Sequence, residues 1–347
     1  MFTYNYTSLT RQRRKPSRTP SRGVVFDRYP NGVAQRRPAF TLVEMTIVIM
    51  IIAILAAMAV PIFATAAQQA RAHRTRAVIA KIDQFIGEKY ESYRTRQVPI
   101  RINPSLNLNP RRIALFRLNA MRELMRMEMP DSQSDILPYD NNTGTTLLGE
   151  HAYLRAPPAL TQSYRRRATA IWSVENQSAE CLYLILAAMR DGDKSALDYF
   201  SPTEIGDVDN DGMNEILDAW GVPIHFLRWA PAYRADIAPY PVTPQVGDVP
   251  DPFDPFKIDP RWNNAPFTPF ALKPLIWSDG PDKRGGINFN TPGTPNPFPY
   301  SQSNAYWANN PVNDPYFADS GTGMPVVGAP VNADATDNIT NHDLEAR

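Results

Sequence analysis

The sequence predicts an α+β protein: one long N-terminal helix carrying a globular head with additional helices and a small antiparallel β-sheet. An apolar stretch of 21 residues, residues 40–60, runs into an amphipathic stretch that ends near residue 97. Two later segments have helical spacing together with helix start or stop signals. Two short apolar stretches bounded by Gly or Pro, residues 224–229 and 272–277, are typical of strands.

Residues 1–39 are expected to form a basic leader that is removed. They contain nine Lys or Arg and a single acid, Asp27, and they show neither helical nor strand periodicity. A segment of this kind gives a folded core nothing to bury, so we place it outside the fold.

The stem is predicted to span residues 40–98, and its first part, residues 40–60, contains one charged residue, Glu44. A helix of this length rises about 1.5 Å per residue and spans about 30 Å, the hydrocarbon thickness of a bilayer. The basic pair Arg36 and Arg37 favours a cytoplasmic start and a head on the other side of the membrane. Farther along, an apolar stripe is expected to face the head: Val78, Ile79, Ile82, Phe85, Ile86, Tyr90 and Tyr93.

The head is predicted to cover residues 99–290. One helix begins with Asn109 as N-cap and Pro110 as first helical residue, and Pro130 closes it. Another spans about residues 173–189 and buries Cys181 on its apolar face. Because Cys181 is the single cysteine, an intrachain disulfide is excluded.

Residues 291–347 are rich in Pro, Asn, Gly and Asp, and the chain has 34 prolines in all. This composition predicts an irregular or disordered C-terminal segment rather than regular helices.

The strongest motif lies at the start of the apolar stretch and reads Pro38-Ala39-Phe40-Thr41-Leu42-Val43-Glu44. It resembles the cleavage and methylation signal of type IV prepilins and type II secretion pseudopilins. Pro61, the twenty-second residue after the expected cut, stands where members of that family commonly carry a proline. The resemblance implies a pilin-like fold, cleavage between Ala39 and Phe40 by a prepilin peptidase that also methylates Phe40, and assembly through the N-terminal helix.

Glu44 is the feature that a plain membrane anchor does not explain. An unpaired carboxylate costs about 2.5 to 3.5 kcal/mol at the centre of a bilayer, and less near its edge. The family resemblance implies that its partner is the free amine of Phe40 on a neighbouring subunit, which sets the register of assembly. Pro61 lacks an N–H, so we expect it to bend or locally melt the helix and help the stem pack in a filament.

Two other readings of the N-terminus stay open. An ordinary single-pass anchor accounts for the apolar stretch but gives no reason for Glu44. A secretory signal peptide would use Ala64-Thr65-Ala66 as its cleavage site, and Arg36-Arg37 resembles a twin-arginine leader. The apolar stretch is longer than the roughly 7 to 15 residues of a signal-peptide core.

A second motif, residues 207–218, fits a twelve-position calcium loop with Gly212 at its sixth position. Hard cations need several oxygens from a short stretch, and alternate carboxylates with a glycine bend supply them. The alternative is a solvated Asp/Gly turn. The expected Ca²⁺ ligands are Asp207, Asp209, Asp211, Met213 through its carbonyl, Glu215 and Asp218.

Two further segments resemble parts of the major pseudopilins. The first contains Asp218, Trp220, Gly221 and Pro223, and the second contains Ser278, Gly280, Asp282, Gly285 and Gly286. The second loop can carry calcium in that family, which makes Asp282 a weaker candidate ligand. The insertion at residues 230–269 has no counterpart in that family.

Catalysis and nucleic-acid binding find no support in the sequence. Net charge is +1, the four histidines are scattered without zinc spacing, and no phosphate-binding glycine motif opens a helix. Core packing explains Trp220, Trp229, Trp262 and Trp277 better than a sugar-binding surface.

The sequence therefore predicts a structural, non-enzymatic subunit of a pseudopilus or pilus-like filament, of type II secretion type. Its partners would be copies of itself or related pseudopilins, the prepilin peptidase and the filament assembly machinery. It would begin as a single-pass inner-membrane protein with its N-terminus in the cytoplasm and its head in the periplasm or outside. The alternatives are an anchored calcium-dependent binding or adhesion module and an anchored enzyme, which would need a converging site that the sequence does not show.

Overall fold

The structure is a computed structural model that describes residues 40–101, 109–137, 153–169, 171–233, 249–264, 267–288, 314–316, 327–330 and 332–342. The leader with Ala39, the middle of the expected insertion and much of the expected C-terminal segment lie outside the described residues. The chain divides into two compact units, one ending at Met58 and the other beginning at Ala59.

The fold is α+β, as predicted: a long N-terminal helix and a head with further helices and small antiparallel sheets. The helices are α1 (Leu42–Ser92), α2 (Pro110–Glu128), α3 (Ala159–Arg167), α4 (Gln177–Ala188) and α5 (Arg261–Asn264). The strands are β1 (Arg190–Asp191), β2 (Lys194–Ser195), β3 (Ile205–Gly206), β4 (Glu215–Ile216), β5 (His225–Leu227), β6 (Leu275–Ser278) and β7 (Ile339–Thr340). Short 3-10 turns cover Gln133–Asp135, Ala196–Tyr199, Pro202–Glu204 and Ala333–Thr336.

Helix α1 is continuous for 51 residues and contains Pro61 within it. Of the two expectations for Pro61, local melting was wrong, and a bend stays a prediction. A proline removes only one backbone N–H from the helical ladder, and the turns on both sides remain intact. The carbonyl of Pro61 also accepts a hydrogen bond from Thr65 Oγ1 at 2.9 Å. The helix ends at Ser92, a few residues before the predicted end near residue 97.

The later part of α1 forms one wall of the head core. The predicted stripe is buried, and Ile79, Ile82 and Ile86 are each fully enclosed. Its partners are apolar side chains from α2, α4 and the three-stranded sheet: Leu124, Met125, Leu182, Ile185, Phe226 and Ile276. Three-to-four spacing along α1 therefore places one continuous face against the head.

Helix α2 begins as predicted, with Asn109 Oδ1 accepting a hydrogen bond from Arg112 N at 2.8 Å and Pro110 as first helical residue. Its last residue, Glu128, is buried and accepts hydrogen bonds from Lys89 and Arg96 of the stem region. Burial alone would raise the pKa of Glu128, but the hydrogen bond from Arg96 and the charge of Lys89 outweigh it and lower the pKa.

The central sheet has the order β5-β6-β7, with antiparallel pairs that include His225 opposite Trp277 and Trp277 opposite Thr340. The two strands predicted near residues 224–229 and 272–277 are β5 and β6. Strand β7 lies in the segment predicted to be irregular, so for Ile339–Thr340 that expectation was wrong. Two residues carry no periodicity, and their pairing with β6 joins positions more than 60 residues apart.

Candidate functional site

The first candidate site is the start of α1, where Glu44 has a partner inside its own chain. Thr41 N and Thr41 Oγ1 donate to Glu44 Oε2 at 2.8 and 2.9 Å, and Glu44 N donates to Thr41 Oγ1 at 3.2 Å. This is a capping box, which satisfies donors that a helix N-terminus otherwise leaves free. The spacing Thr-x-x-Glu could have been read from the sequence.

Phe40 stands directly before this cap and is 80% exposed. The large apolar side chains that follow it up to Met58 are also exposed in the single chain. Among the described residues, α1 is the one helix long and apolar enough to cross a membrane. The N-terminal unit therefore presents apolar surface on every face of its helix, with the Glu44 carboxylate near the beginning.

The second candidate site is the acidic loop, residues 207–214, which connects β3 to β4. The chain turns sharply at Asn210 and Gly212, which have φ of 60° and 86°. This left-handed region favours glycine, and a Cβ on Gly212 would also lie 3.1 Å from the Thr169 side chain. The predicted position for a glycine bend is thus where the backbone needs one.

Backbone and side-chain donors hold the loop carboxylates in place. Gly212 N donates to Asp207 Oδ2 at 3.0 Å, and Val208 N donates to Glu215 Oε2 at 3.2 Å. Ser173 Oγ donates to Asp209 Oδ2 at 2.7 Å, which links the loop to the segment before α4.

The structure brings ligand atoms of Asp207, Asp209 and Asp211 within 4.8 Å of one another. It also places Asp209 and Glu215 beside Glu180 of α4, a residue that the sequence analysis did not select. Helix α4 packs against β4, and this contact puts Glu180 next to Glu215. The one sequence signal for Glu180 was an acid between two apolar residues on the buried face of a helix.

Burial dominates the electrostatics of this cluster. It raises the pKa of Glu180 to about 9, against a hydrogen bond from Trp172 Nε1, and neighbouring carboxylates add to the rise. Burial likewise raises the pKa of Glu215 to about 8, with Asp209 and Asp207 contributing. A negative charge in this cluster is therefore destabilising unless a positive charge compensates it.

One of the predicted calcium ligands, Asp218, has hydrogen-bond donors from the chain on both of its oxygens, whereas the role of the Met213 carbonyl stays a prediction. Asp218 Oδ1 accepts from Trp220 N at 2.8 Å and from Val222 N at 2.9 Å, and Asp218 Oδ2 accepts from Ser278 Oγ at 2.6 Å. The side chain of Met213 is buried, and its N–H donates to Asp211 Oδ1. Asp218 thus shapes the turn after β4 and joins it to β6.

Asp282, the weaker candidate ligand, lies on an exposed turn. Its Oδ1 accepts from Arg284 N at 2.8 Å, and its N–H donates to Asp337 Oδ2 at 3.3 Å. The two segments that resemble major pseudopilins contact each other through Asp218 and Ser278.

The residues considered for catalysis or for sugar binding that the structure describes lie partly in the interior. Cys181 is fully buried, and burial raises the pKa of its thiol. Trp229 and Trp277 are buried, whereas Trp220 and Trp262 are partly exposed. Trp220 Nε1 donates to Gln68 Oε1 of α1 at 2.8 Å, so it braces the stem.

Comparison with known proteins gives one finding about the N-terminus. Residues 35–60 match the family model for the prokaryotic N-terminal methylation motif, a stretch that includes Phe40 and Glu44. No curated protein and no solved structure matches the chain.

Proposed function

We propose that the chain is a structural subunit of a pseudopilus-like filament. Its N-terminal methylation motif and its long apolar helix support a type IV pilin-like protein. The motif implies processing by a prepilin peptidase, membrane association and pilin-type assembly. The finer role, in a type II secretion-type system, rests on the resemblance of the two head segments to major pseudopilins.

The observation that carries the proposal is the matched motif on a helix whose apolar side chains are exposed in the single chain. A surface of this kind needs lipid or other helices around it. In the membrane the subunit would have its N-terminus in the cytoplasm and its head outside, and in the filament neighbouring stems would cover the same residues.

The capping box adds a step to this scheme. In the single chain, Glu44 Oε2 accepts from Thr41 N and Thr41 Oγ1. Processing frees the amine of Phe40, and an incoming copy offers that positive charge to the carboxylate. A charged donor gives a stronger hydrogen bond than a neutral one, so the ion pair would set the register between neighbouring helices.

The proposal is tested first by mass analysis of the mature protein in its own host. The expected N-terminus is N-methyl-Phe40. A chain that begins at Ala67 would instead support secretory cleavage, and an intact leader would support a simple anchor.

The second test compares incorporation into filaments for the variants Glu44→Ala and Thr41→Val. Glu44→Ala should insert into the membrane and be processed, yet be lost from sheared filament fractions. Thr41→Val is the control, because it removes the hydroxyl of the capping box and keeps the carboxylate; it should still assemble. Normal assembly of Glu44→Ala would contradict the registering role.

A further inference from the structure

Four carboxylates around the acidic loop share one arrangement. In each, one oxygen accepts a hydrogen bond from a donor in the chain: Gly212 N to Asp207, Ser173 Oγ to Asp209, Val208 N to Glu215, and Trp172 Nε1 to Glu180. The other oxygen is buried and has no hydrogen-bond partner among the described residues: Asp207 Oδ1, Asp209 Oδ1, Glu215 Oε1 and Glu180 Oε1.

Buried polar atoms in folded proteins are nearly always paired, so four unpaired oxygens in one place need an explanation. Glu180 and Glu215 are fully buried, and neither they nor the two Asp residues form an ion pair within the described part of the chain. The hydrogen bonds already hold each carboxylate in one orientation. What is missing is a positive partner for the free oxygens.

The carboxylate groups also converge. One ligand atom from each of Glu180, Asp209 and Glu215 lies within 4.8 Å of the others, and the same holds for Asp207, Asp209 and Asp211. Two oxygens on opposite sides of a calcium ion are about 4.6 to 5.2 Å apart, because Ca–O distances are about 2.3 to 2.6 Å. The cluster therefore has the size of a site for a hard cation with oxygen ligands.

We propose that a divalent cation of the calcium class binds among Glu180, Asp207, Asp209 and Glu215 and so fixes the acidic loop to helix α4. This ligand set differs from the one expected from the sequence. Both oxygens of Asp211 accept backbone N–H groups, from Met213 and Ser173, so it shapes the loop. Glu180 enters from another element in place of Asp218.

The consequence for the molecule is a cross-link. Helix α4 also contributes Leu182, Ile185 and Leu186 to the core that α1 joins, so the cation would hold the β3–β4 connection against the helix that supports the stem. The inference stands independently of filament assembly, because the site uses residues of the head alone.

The test is a calcium titration of the purified full-length chain in detergent, after removal of metal with EGTA. We expect Tm to rise and saturate as CaCl₂ is added, with half-saturation at or below about 10⁻³ M, the range of extracellular calcium modules. Isothermal titration should give the same affinity. The same concentration of MgCl₂ should give a smaller shift, because Mg²⁺ gives up its water reluctantly.

The variants Glu180→Gln and Glu215→Gln keep the size of the side chain and remove its charge. Each should lower calcium affinity at least tenfold. Without calcium, each should have a Tm equal to or above that of the wild type, since a neutral Gln can be buried there without a compensating positive charge. If Glu180 or Glu215 were needed only for packing, its replacement would lower Tm both with and without calcium. Glu175→Gln is the matched control: the same change at an exposed position just before α4, with an unchanged titration.

A wild-type Tm that is indifferent to CaCl₂ and EGTA would overturn the site, and it would mean that the cluster is held by protonated carboxyl groups. A full calcium response in Glu180→Gln would overturn the helix-borne ligand and leave a loop-only site. If both Gln variants fail to fold, the wild-type titration alone still decides whether a cation binds.

Discussion

At the scale of single residues, two buried carboxylates of this head differ in how their oxygens are paired. Asp218 has donors for both of its oxygens, from Trp220, Val222 and Ser278. Glu180 has a donor for one oxygen only. The first carboxylate stabilises the backbone directly, whereas the second keeps one oxygen for the proposed cation. Sequence spacing alone does not separate the two, because Asp218 fits the last position of the motif and Glu180 lies outside it.

Replacing Asp218 by Ala should lower the free energy of unfolding by about 3 kcal/mol, because two backbone N–H groups and the Ser278 hydroxyl lose their acceptor in a buried place. The loss should be the same with calcium and with EGTA. Denaturant unfolding of the full-length chain in detergent measures it.

Asp193→Ala is the control for this variant, since Asp193 is exposed and its replacement should change stability by less than about 0.5 kcal/mol. A loss for Asp218→Ala that is seen only with calcium would mean that Asp218 is a cation ligand after all.

At the scale of elements, α1 performs two tasks along one helix. The side chains before Met58 are exposed, and the face that includes Ile79, Ile82 and Ile86 is fully buried in the head. This change from exposed to buried side chains follows from composition, since the first part of α1 is apolar on all sides and the later part is apolar only along one stripe.

Two Ile→Ala variants on this helix should therefore behave differently. Ile82→Ala leaves a cavity in the core and should lower the free energy of unfolding of the head by about 2 to 5 kcal/mol. Ile52→Ala, at an exposed position, should leave head stability within about 0.5 kcal/mol. Near-UV circular dichroism during denaturation reports the head in both. Equal losses would contradict the division of α1.

Helices with a long apolar stripe or a clear cap could be predicted from the sequence, and so could β5 and β6. Helix α3 was missed because its buried side chains are few, Thr161 and Tyr164, and it ends in three Arg. Strand β7 and Glu180 were missed for a different reason. Their roles arise from contacts with residues far along the chain, and the local sequence pattern does not indicate such contacts.

At the scale of the whole molecule, the C-terminal residues help to hold the head unit together. Asn341 is buried, and its side chain reaches Asp83 Oδ1 of α1 at 2.7 Å, the Pro274 carbonyl at 3.0 Å and Ile276 N at 2.9 Å. The side-chain amide of Asn341 thus connects α1, β6 and the segment that contains β7.

Asn341→Ala should lower the free energy of unfolding by about 2 to 3 kcal/mol, because the half-buried Asp83 carboxylate loses a donor and the buried Ile276 N–H loses its acceptor. Asn263→Ala, an exposed asparagine in the same unit, is the control and should be nearly neutral. Thermal unfolding of both variants gives the comparison. Equal Tm values would show that the C-terminal contact contributes little.

The link between Asp83 and Asn341 spans 258 positions of the chain, and β7, which completes the central sheet, lies at Ile339–Thr340. During synthesis, the apolar stripe of the stem leaves the ribosome long before the residues that cover it. The head core can therefore close only after Asn341 has been synthesised, and until then the apolar stripe of the stem is exposed and prone to aggregate.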